Sequence, residues 1–508
     1  MATFLTIFLM KLLSAFTLII VSISAQDYTW PTDLGKHLSS NFGEFRTTGY
    51  HLGLDMKTKG ATGHPVYAVS DGSISRIVTN YSGFGRALYL QMNDGQTAVY
   101  AHLSKFTPRL ESRLKETQSA NQSYMTNIFP LADEFRFEKG DVIAYSGNTG
   151  FSFAPHLHFE IRNEFGQTLN PLTSGLSQAD RLAPVVEEVS LTPLRADGWI
   201  NGNQLPQTFS LFRDKKGEYH FPDTINIAGI IGLAIKAYDK RQGANNIYQP
   251  HRIEVYIDEK LYHTLQFDRL DYKWLSTANF IKDYRNARLN LGDFIKLYRN
   301  EGDPMVPIHA DSTNGVLDLT PGFHDIKILV MDVLKNTRTV HGTVFKMPPF
   351  EITIEKLGET EELLSFMLQP KSITVPIESI VAYSFTAYGF AEAQIDIQSS
   401  ELIETGRIIT ISKKYAKRKA IQFIAKNTLG TYSKPIHWVD KKHTGDHLSV
   451  RVDMDISQTD AGVYVQVQPE QVVDANISLR LKGEYQYETI PLNHIQPSVY
   501  LTPPIDPT

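Results

Sequence analysis

The stretch Ala154-Pro155-His156-Leu157-His158-Phe159-Glu160-Ile161 sets two imidazoles one residue apart. Alternate side chains of a β-strand project to opposite faces, so Leu157, Phe159 and Ile161 share one side and His156, His158 and Glu160 the other. The spacing predicts a strand with an apolar face for a core and an imidazole face for a metal or a substrate. A pair of strand histidines satisfied by their neighbours gives the same pattern, so the residues upstream carry the weight. There, Tyr50-His51-Leu52-Gly53-Leu54-Asp55 brackets a glycine with an imidazole and a carboxylate, on a segment leaving the Asn41-Phe42-Gly43 loop. A nitrogen from His51, an oxygen from Asp55 and a nitrogen from His156 or His158 make a three-ligand set. Zinc prefers four ligands in a tetrahedron, and a catalytic zinc leaves the fourth place to water, whose pKa falls from about 15.7 to roughly 7. Taken singly, His51 and Asp55 read as a cap pair or surface residues, and His102 as structural. His64, in Gly63-His64-Pro65, reads as a turn residue.

Strands and turns must position these groups. Asp94-Gly95 between Arg86–Met92 and Gln96–Leu103 predicts a hairpin, with Ala98, Tyr100 and His102 on one face. His102 is thereby expected on a strand. Asp71-Gly72 between Pro65–Val69 and Ser73–Val78 predicts a second hairpin. A further strand, Asp141–Tyr145, leads through Ser146-Gly147-Asn148-Thr149-Gly150 to the histidine strand. Between Ser104 and Lys139, Pro108 can open a helix, and Leu110 and Leu114 fall at i, i+4 in the charged segment Arg109 to Gln118. Long insertions are often functional, so this one reads either as a packed surface excursion or as a wall over a substrate groove.

His-x-x-x-Asp, then Tyr-Ala-His-Leu, then Ser-Gly-Asn-Thr-Gly and Pro-His-Leu-His-Phe-Glu, in this order, resembles the LytM/lysostaphin-type zinc metalloendopeptidases. The resemblance covers about Trp30 to Leu172. It implies a compact antiparallel β domain that hydrolyses peptide bonds of bacterial peptidoglycan with one catalytic zinc. It makes His51, Asp55 and His158 the metal ligands, and His102 and His156 the unligated catalytic pair. A histidine, with an ordinary pKa near 6.5, suits taking a proton from the attacking water and returning it to the leaving amine. One of the pair could instead donate to the oxyanion; the sequence leaves the division open. Glu160 is placed to accept from a histidine, although a solvated strand-end carboxylate is the favoured reading. Tyr50 adjoins His51 and projects differently from the tyrosine that some family members use at the oxyanion. The Ser104–Lys139 segment is longer than the family's usual connection, which puts transfer of bond specificity in doubt.

The fold expected is mainly β. Residues 1–25 read as a secretory signal, with Lys11 before the apolar run Leu12 to Ile23 and Ser24-Ala25 closing it. Residues 26–180 are expected to form the peptidase domain with its helical insertion. Punctuation at Asn170-Pro171, Leu182-Ala183-Pro184 and Met347-Pro348-Pro349 then divides off a β-sandwich (Ig-like) domain at 181–348 and a second β-rich, sandwich-like domain at 349–508. In these, Ile253, Val255 and Ile257, then Ile326, Ile328 and Val330, then Val463, Val465 and Val467 alternate with other residues. The net charge of -5 leaves no footprint for nucleic acid. Absence of cysteine excludes disulfides, thiolate metal sites, a cysteine nucleophile and a lipid-anchored N-terminal cysteine. No second apolar run is long enough to span a membrane after signal cleavage.

The expectation is thus an exported zinc endopeptidase acting on peptidoglycan stem or cross-link peptides, in a periplasm or cell envelope or secreted. A Gram-negative envelope and D,D-endopeptidase action are favoured over glycine-bridge cleavage. The C-terminal β domains are candidates for binding a protein partner. The alternative is a non-catalytic LytM-like adaptor that binds or activates another wall hydrolase. Such adaptors typically lack one of the five positions, all of which are filled here.

Overall fold

The computed structural model describes residues 27–46, 49–195, 198–203, 205–300 and 314–371, and shorter segments between 375 and 501. The expected signal, residues 1–25, lies outside the described residues. Among the described residues no helix is long and apolar enough to cross a membrane.

The chain runs through β1 (Leu38–Ser40), β2 (Phe45–Arg46), β3 (Gly49–Tyr50), β4 (Leu54–Lys57), β5 (Pro65–Tyr67), β6 (Gly72–Thr79), β7 (Arg86–Met92), β8 (Thr97–Ala101) and β9 (Lys105–Phe106). Then come α1 (Pro108–Asn121), β10 (Thr126–Ile128), β11 (Arg136–Phe137), β12 (Val142–Tyr145), β13 (His156–Arg162) and β14 (Thr168–Leu169). The main sheet has the order β1-β4-β13-β8-β7-β6-β10, and β5-β12-β9 form a smaller sheet. β13 lies between β4 and β8, both antiparallel to it, with His158 opposite Asp55 on one side and Ala101 on the other. Leu157, Phe159 and Ile161 are fully buried, as the alternation requires. Burial of each contributes roughly 1.5–3 kcal/mol, which fixes the register and hence the face on which His156 and His158 stand.

Two expectations are corrected by the structure. The Asp94-Gly95 hairpin forms, pairing Gln91 with Thr97, but Asp71-Gly72 does not close one. β5 pairs with β12, while β6 pairs with β7, β10 and β11. Asp71 instead takes an N–H from Lys139 on its carboxylate and one from Asn93 on its carbonyl, so the chain crosses between sheets at this turn. His102 is not on a strand either. β8 stops at Ala101, and His102 sits in the left-handed region at φ 59°, a strained place for a bulky ring side chain. The 104–139 segment, read either as a packed surface excursion or as a wall over a groove, is packed against the domain. Leu110 and Leu114 of α1 are fully buried in the core, and β9 and β10 extend the two sheets.

The protein is mainly β beyond this region as well. The strands Val185–Pro193 and Ile231–Lys240 pair in a five-stranded sheet, and Arg252–Ile257, Lys260–Gln266, Gly322–Met331 and Thr337–Lys346 belong to an eight-stranded one. Arg252–Ile257 and Lys260–Gln266 flank the polar Asp258-Glu259 turn, and Ile326, Ile328 and Val330 are buried on alternate positions. One apolar cluster runs unbroken from Leu38, Tyr50 and Phe159 into Phe267, Trp274 and Val344. The N-terminal sheets and these middle sheets therefore share a core. Two four-stranded sheets further on enclose a separate cluster around Phe366 and Phe423. The strands Val452–Thr459 and Gly462–Pro469 form part of another sheet, with Val465 and Val467 in a small cluster of their own.

Candidate metal centre

β3, β4 and β13 bring together residues far apart in sequence. Gly53 allows this: a Cβ there would lie 2.5 Å from the carbonyl oxygen of Phe159, so only glycine lets the His51–Asp55 segment run this close to β13. Nε2 of His51, Nδ1 of His158 and Oδ1 of Asp55 face one another. The separations are 3.1 Å between the nitrogens, 3.0 Å from His51 to Asp55 and 2.9 Å from His158 to Asp55. Ligands held about 2.0–2.1 Å from a tetrahedral zinc are themselves about 3.3 Å apart. These three donors nearly have that spacing, and two imidazoles with one carboxylate are a donor set zinc accepts. The residues fit the metal.

The second nitrogen of each ring fixes the tautomer. Nδ1 of His51 donates to the carbonyl of Asn41 over 2.8 Å, which leaves the lone pair on Nε2. Nε2 of His158 donates to Oε1 of Glu160 over 3.0 Å, which leaves the lone pair on Nδ1. Hydrogen bonds of this kind orient a metal-binding histidine and raise its basicity. Glu160 is therefore not the solvated strand-end carboxylate that its sequence position suggests. It is 1% exposed, and its Oε2 accepts from Nε and Nη2 of Arg162 at 2.8 and 2.6 Å. On the other side, Oδ2 of Asp55 takes a bond from Arg46 at 3.1 Å.

Electrostatics point the same way. Burial would raise the pKa of Asp55, but the charge of His51 and the imidazoles of His156 and His158 around it hold it well below the usual carboxylate range. Burial would lower that of His158, yet Asp55 and Glu160 on its two sides hold it up at about 9. Positive charge is favoured between these carboxylates.

His102 and His156 stand beside the trio, their ring centroids 4.7 Å apart. Nδ1 of His102 donates to the carbonyl of Thr149, and Nδ1 of His156 to that of Ala154, each over 2.8 Å. Both carbonyls belong to the loop leading into β13, so the loop that begins with the Ser-Gly-Asn-Thr-Gly motif orients the pair. With Nδ1 donating, Nε2 is left on each ring to face the site, and that of His156 lies 3.5 Å from Oδ1 of Asp55. Burial, then the neighbouring His158 and His156, push His102 down to about 4, so it stays neutral near pH 7. The ring of Phe84 stacks on His158 at 5.3 Å and closes that side.

Other residues that support the site carry no signal in the sequence. Tyr272, from the 3₁₀ turn Tyr272–Thr277 of the middle region, accepts from Nη2 of Arg162 at 2.7 Å. The adjoining strand Arg269–Leu270 pairs with β14 and holds that turn in place. The side chain of Asn41, whose carbonyl holds His51, makes two hydrogen bonds with the backbone of Gln249, at 2.8 and 3.1 Å. Both metal-facing histidines are thus braced through groups of the middle region. Tyr50 is buried with Phe45 and Phe267 at 5.8 and 6.1 Å, away from the site, and His64 lies in its turn, bonded through its N–H to Ser146.

Residues 49–128 match Peptidase family M23, a span that holds His51, Asp55 and His102. Over 120 residues the chain is 37% identical to the glycyl-glycine endopeptidase ALE-1 of Staphylococcus capitis, covering 23% of this chain and 26% of that one. Over 156 residues it is 31% identical to the DD-carboxypeptidase/endopeptidase Mpg of Neisseria meningitidis serogroup B, covering 29% and 30%. Over 145 residues it is 30% identical to the murein hydrolase activator NlpD of Salmonella dublin, covering 28% and 30%. The chain spans less than a third of the length of each of these relatives. The ordered motifs, the antiparallel sheet that carries them and the family match lead to one assignment: this chain contains a peptidase domain of the M23, LytM/lysostaphin-type family.

Proposed function

We propose that the protein is an exported zinc-dependent metalloendopeptidase that cuts peptide cross-links of peptidoglycan, with D,D-endopeptidase action favoured over glycine-bridge cleavage. The observation that carries this is the trio of His51 Nε2, His158 Nδ1 and Asp55 Oδ1, 2.9–3.1 Å apart, with the other ring nitrogens already committed. When bound, zinc supplies a Lewis acid that polarises the scissile carbonyl and acidifies water. His51, Asp55 and His158 would hold it. His102 and His156 divide the proton work. The Nε2 lone pair of one takes a proton from the attacking water and gives it to the leaving amine, while the other, when its Nε2 also carries a proton, donates to the developing oxyanion. Their Nδ1 bonds to Thr149 and Ala154 keep both rings turned toward the site through these steps. Residues 26–180 carry this chemistry in our reading, and the domains at 181–348 and 349–508 position the enzyme or bind a partner.

The activator reading stands second, because one relative is a murein hydrolase activator. Its family-based expectation of a missing ligand or catalytic histidine is not met, since all five positions are filled. Zinc content and wall digestion, measured together for the full chain and for His51→Ala, separate the two. An enzyme loses both in the variant. A protein that holds no zinc yet stimulates a partner hydrolase would establish the activator instead.

A further inference from the structure

We propose that Asp180, Asp239 and Asp332 bind a hard divalent cation of the calcium class, where the segment that follows β14 crosses the middle sheets. Asp239 belongs to the strand Ile231–Lys240, Asp332 follows the strand Gly322–Met331, and Asp180 lies in the connection before Val185. These sequence-distant residues each bring a carboxylate oxygen to within 4.8 Å of the other two.

Burial separates this cluster from an ordinary acidic patch. Asp239 is 1% exposed and Asp332 2%. Among the described residues the cluster has one cationic neighbour, Arg241, whose Nε is 3.8 Å from Oδ2 of Asp239, beyond hydrogen-bonding distance. Three carboxyl groups against one guanidinium leave an excess of buried acid, whose charged form burial and the mutual repulsion of the carboxylates disfavour. Unpaired buried charge is among the costliest features a fold can carry.

Oδ1 of Asp239 and Oδ2 of Asp180 are both shielded from solvent without any hydrogen-bond partner. The rest of the cluster is firmly oriented. Oδ1 of Asp180 accepts from the N–H groups of Arg181 and Leu182 at 2.8 and 3.1 Å. Oδ1 of Asp332 accepts from those of Leu334 and Asn336 at 2.9 and 2.7 Å, and its Oδ2 from the Asn336 amide at 2.7 Å. That amide also reaches the carbonyl of Asp180 at 3.3 Å, so the two segments are already joined beside the carboxylates. An all-oxygen set with no imidazole suits calcium, whose remaining places go to carbonyls or water, and sets this site apart from the zinc centre. Bound there, the cation would staple the connecting segment to both middle strands. This inference does not depend on the peptidase reading.

The test is equilibrium dialysis of the full chain, stripped of adventitious metal, against radioactive calcium, with melting temperature followed by calorimetry. Saturable binding of one calcium per chain and a calcium-dependent rise in Tm are expected. Asp239→Asn and Asp332→Asn should weaken binding at least tenfold, while Asp55→Ala, altered only at the other centre, should bind as the parent does. Absence of binding by the parent chain at millimolar calcium would overturn the proposal. So would unchanged affinity in both asparagine variants. Because the parent measurement needs no substitution, a variant that fails to fold leaves the question answerable.

Discussion

Nε2 of His158 lies 3.0 Å from Oε1 of Glu160, and that bond determines which nitrogen of the ring faces Asp55. Glu160 is in turn held by Arg162, and Arg162 by Tyr272 from the middle region. Loss of an outer partner of this kind typically weakens metal affinity by about 10–100-fold. Glu160→Gln should fall in that range, and Tyr272→Phe should show a smaller loss of zinc affinity with the fold retained. Competition for zinc with a chromophoric chelator measures both. Parent-like affinity in Glu160→Gln would remove this chain of contacts from the metal site.

Ligand and catalytic histidines should separate cleanly by substitution. Asp55→Ala and His158→Ala are expected to lose zinc and activity together. His102→Ala and His156→Ala should keep zinc and lose about 10²–10⁴-fold in kcat, the range of general acid–base catalysis. Metal analysis beside peptide turnover checks this. An empty centre in His102→Ala would show that the division of roles is wrong.

The loop that orients His102 and His156 depends on Gly150. Its φ is 75°, and a Cβ there would lie 2.3 Å from the backbone nitrogen of Gly85 and 2.4 Å from the carbonyl of Gly83. Gly150→Ala should cost at least about 1–3 kcal/mol of stability from the strained backbone alone. It should also shift Thr149, and with it His102, so activity falls more than zinc affinity. Denaturant melts combined with zinc titration test this; a parent-like melt and turnover would show that the loop yields freely.

The middle region offers a pH test away from the metal. Nδ1 of His324 is bonded to Asp258, and its Nε2 to the Thr320 carbonyl, each at 2.7 Å. Both nitrogens donate, as only the charged ring can. Burial would lower the pKa, but the Thr320 carbonyl and Asp258 raise it above the ordinary value. A raised histidine contributes stability that is fully present below about pH 6.5 and fades as pH rises through its folded pKa. His324→Gln should therefore lower Tm more at pH 5.5 than at pH 8.5. Equal losses at the two pH values would mean the ring is neutral throughout.

Period-2 patterning made the histidine strand legible, because Leu157, Phe159 and Ile161 had only one face they could bury. The Asp94-Gly95 turn likewise announced its hairpin, since both flanking strands lie in one sheet. Asp71-Gly72 carries the same local signal, but β5 finds its partner in the sequence-distant β12, and no turn residue encodes that choice. His102 left the strand for a left-handed conformation that alternation cannot express. Glu160 looked solvated because its shield comes from elsewhere: Arg162 is two residues away, but Tyr272 is more than a hundred residues downstream. Local pattern thus brought out His51, Asp55 and His158, while the groups that brace them depend on how the middle sheets dock.

The most direct measurement is digestion of purified sacculi by the zinc-loaded protein, with the released muropeptides identified by mass spectrometry. Conversion of cross-linked dimers to monomers is expected, lost in Asp55→Ala, with the cleaved bond read from the product masses. Intact dimers after incubation with protein that retains stoichiometric zinc would contradict the endopeptidase assignment.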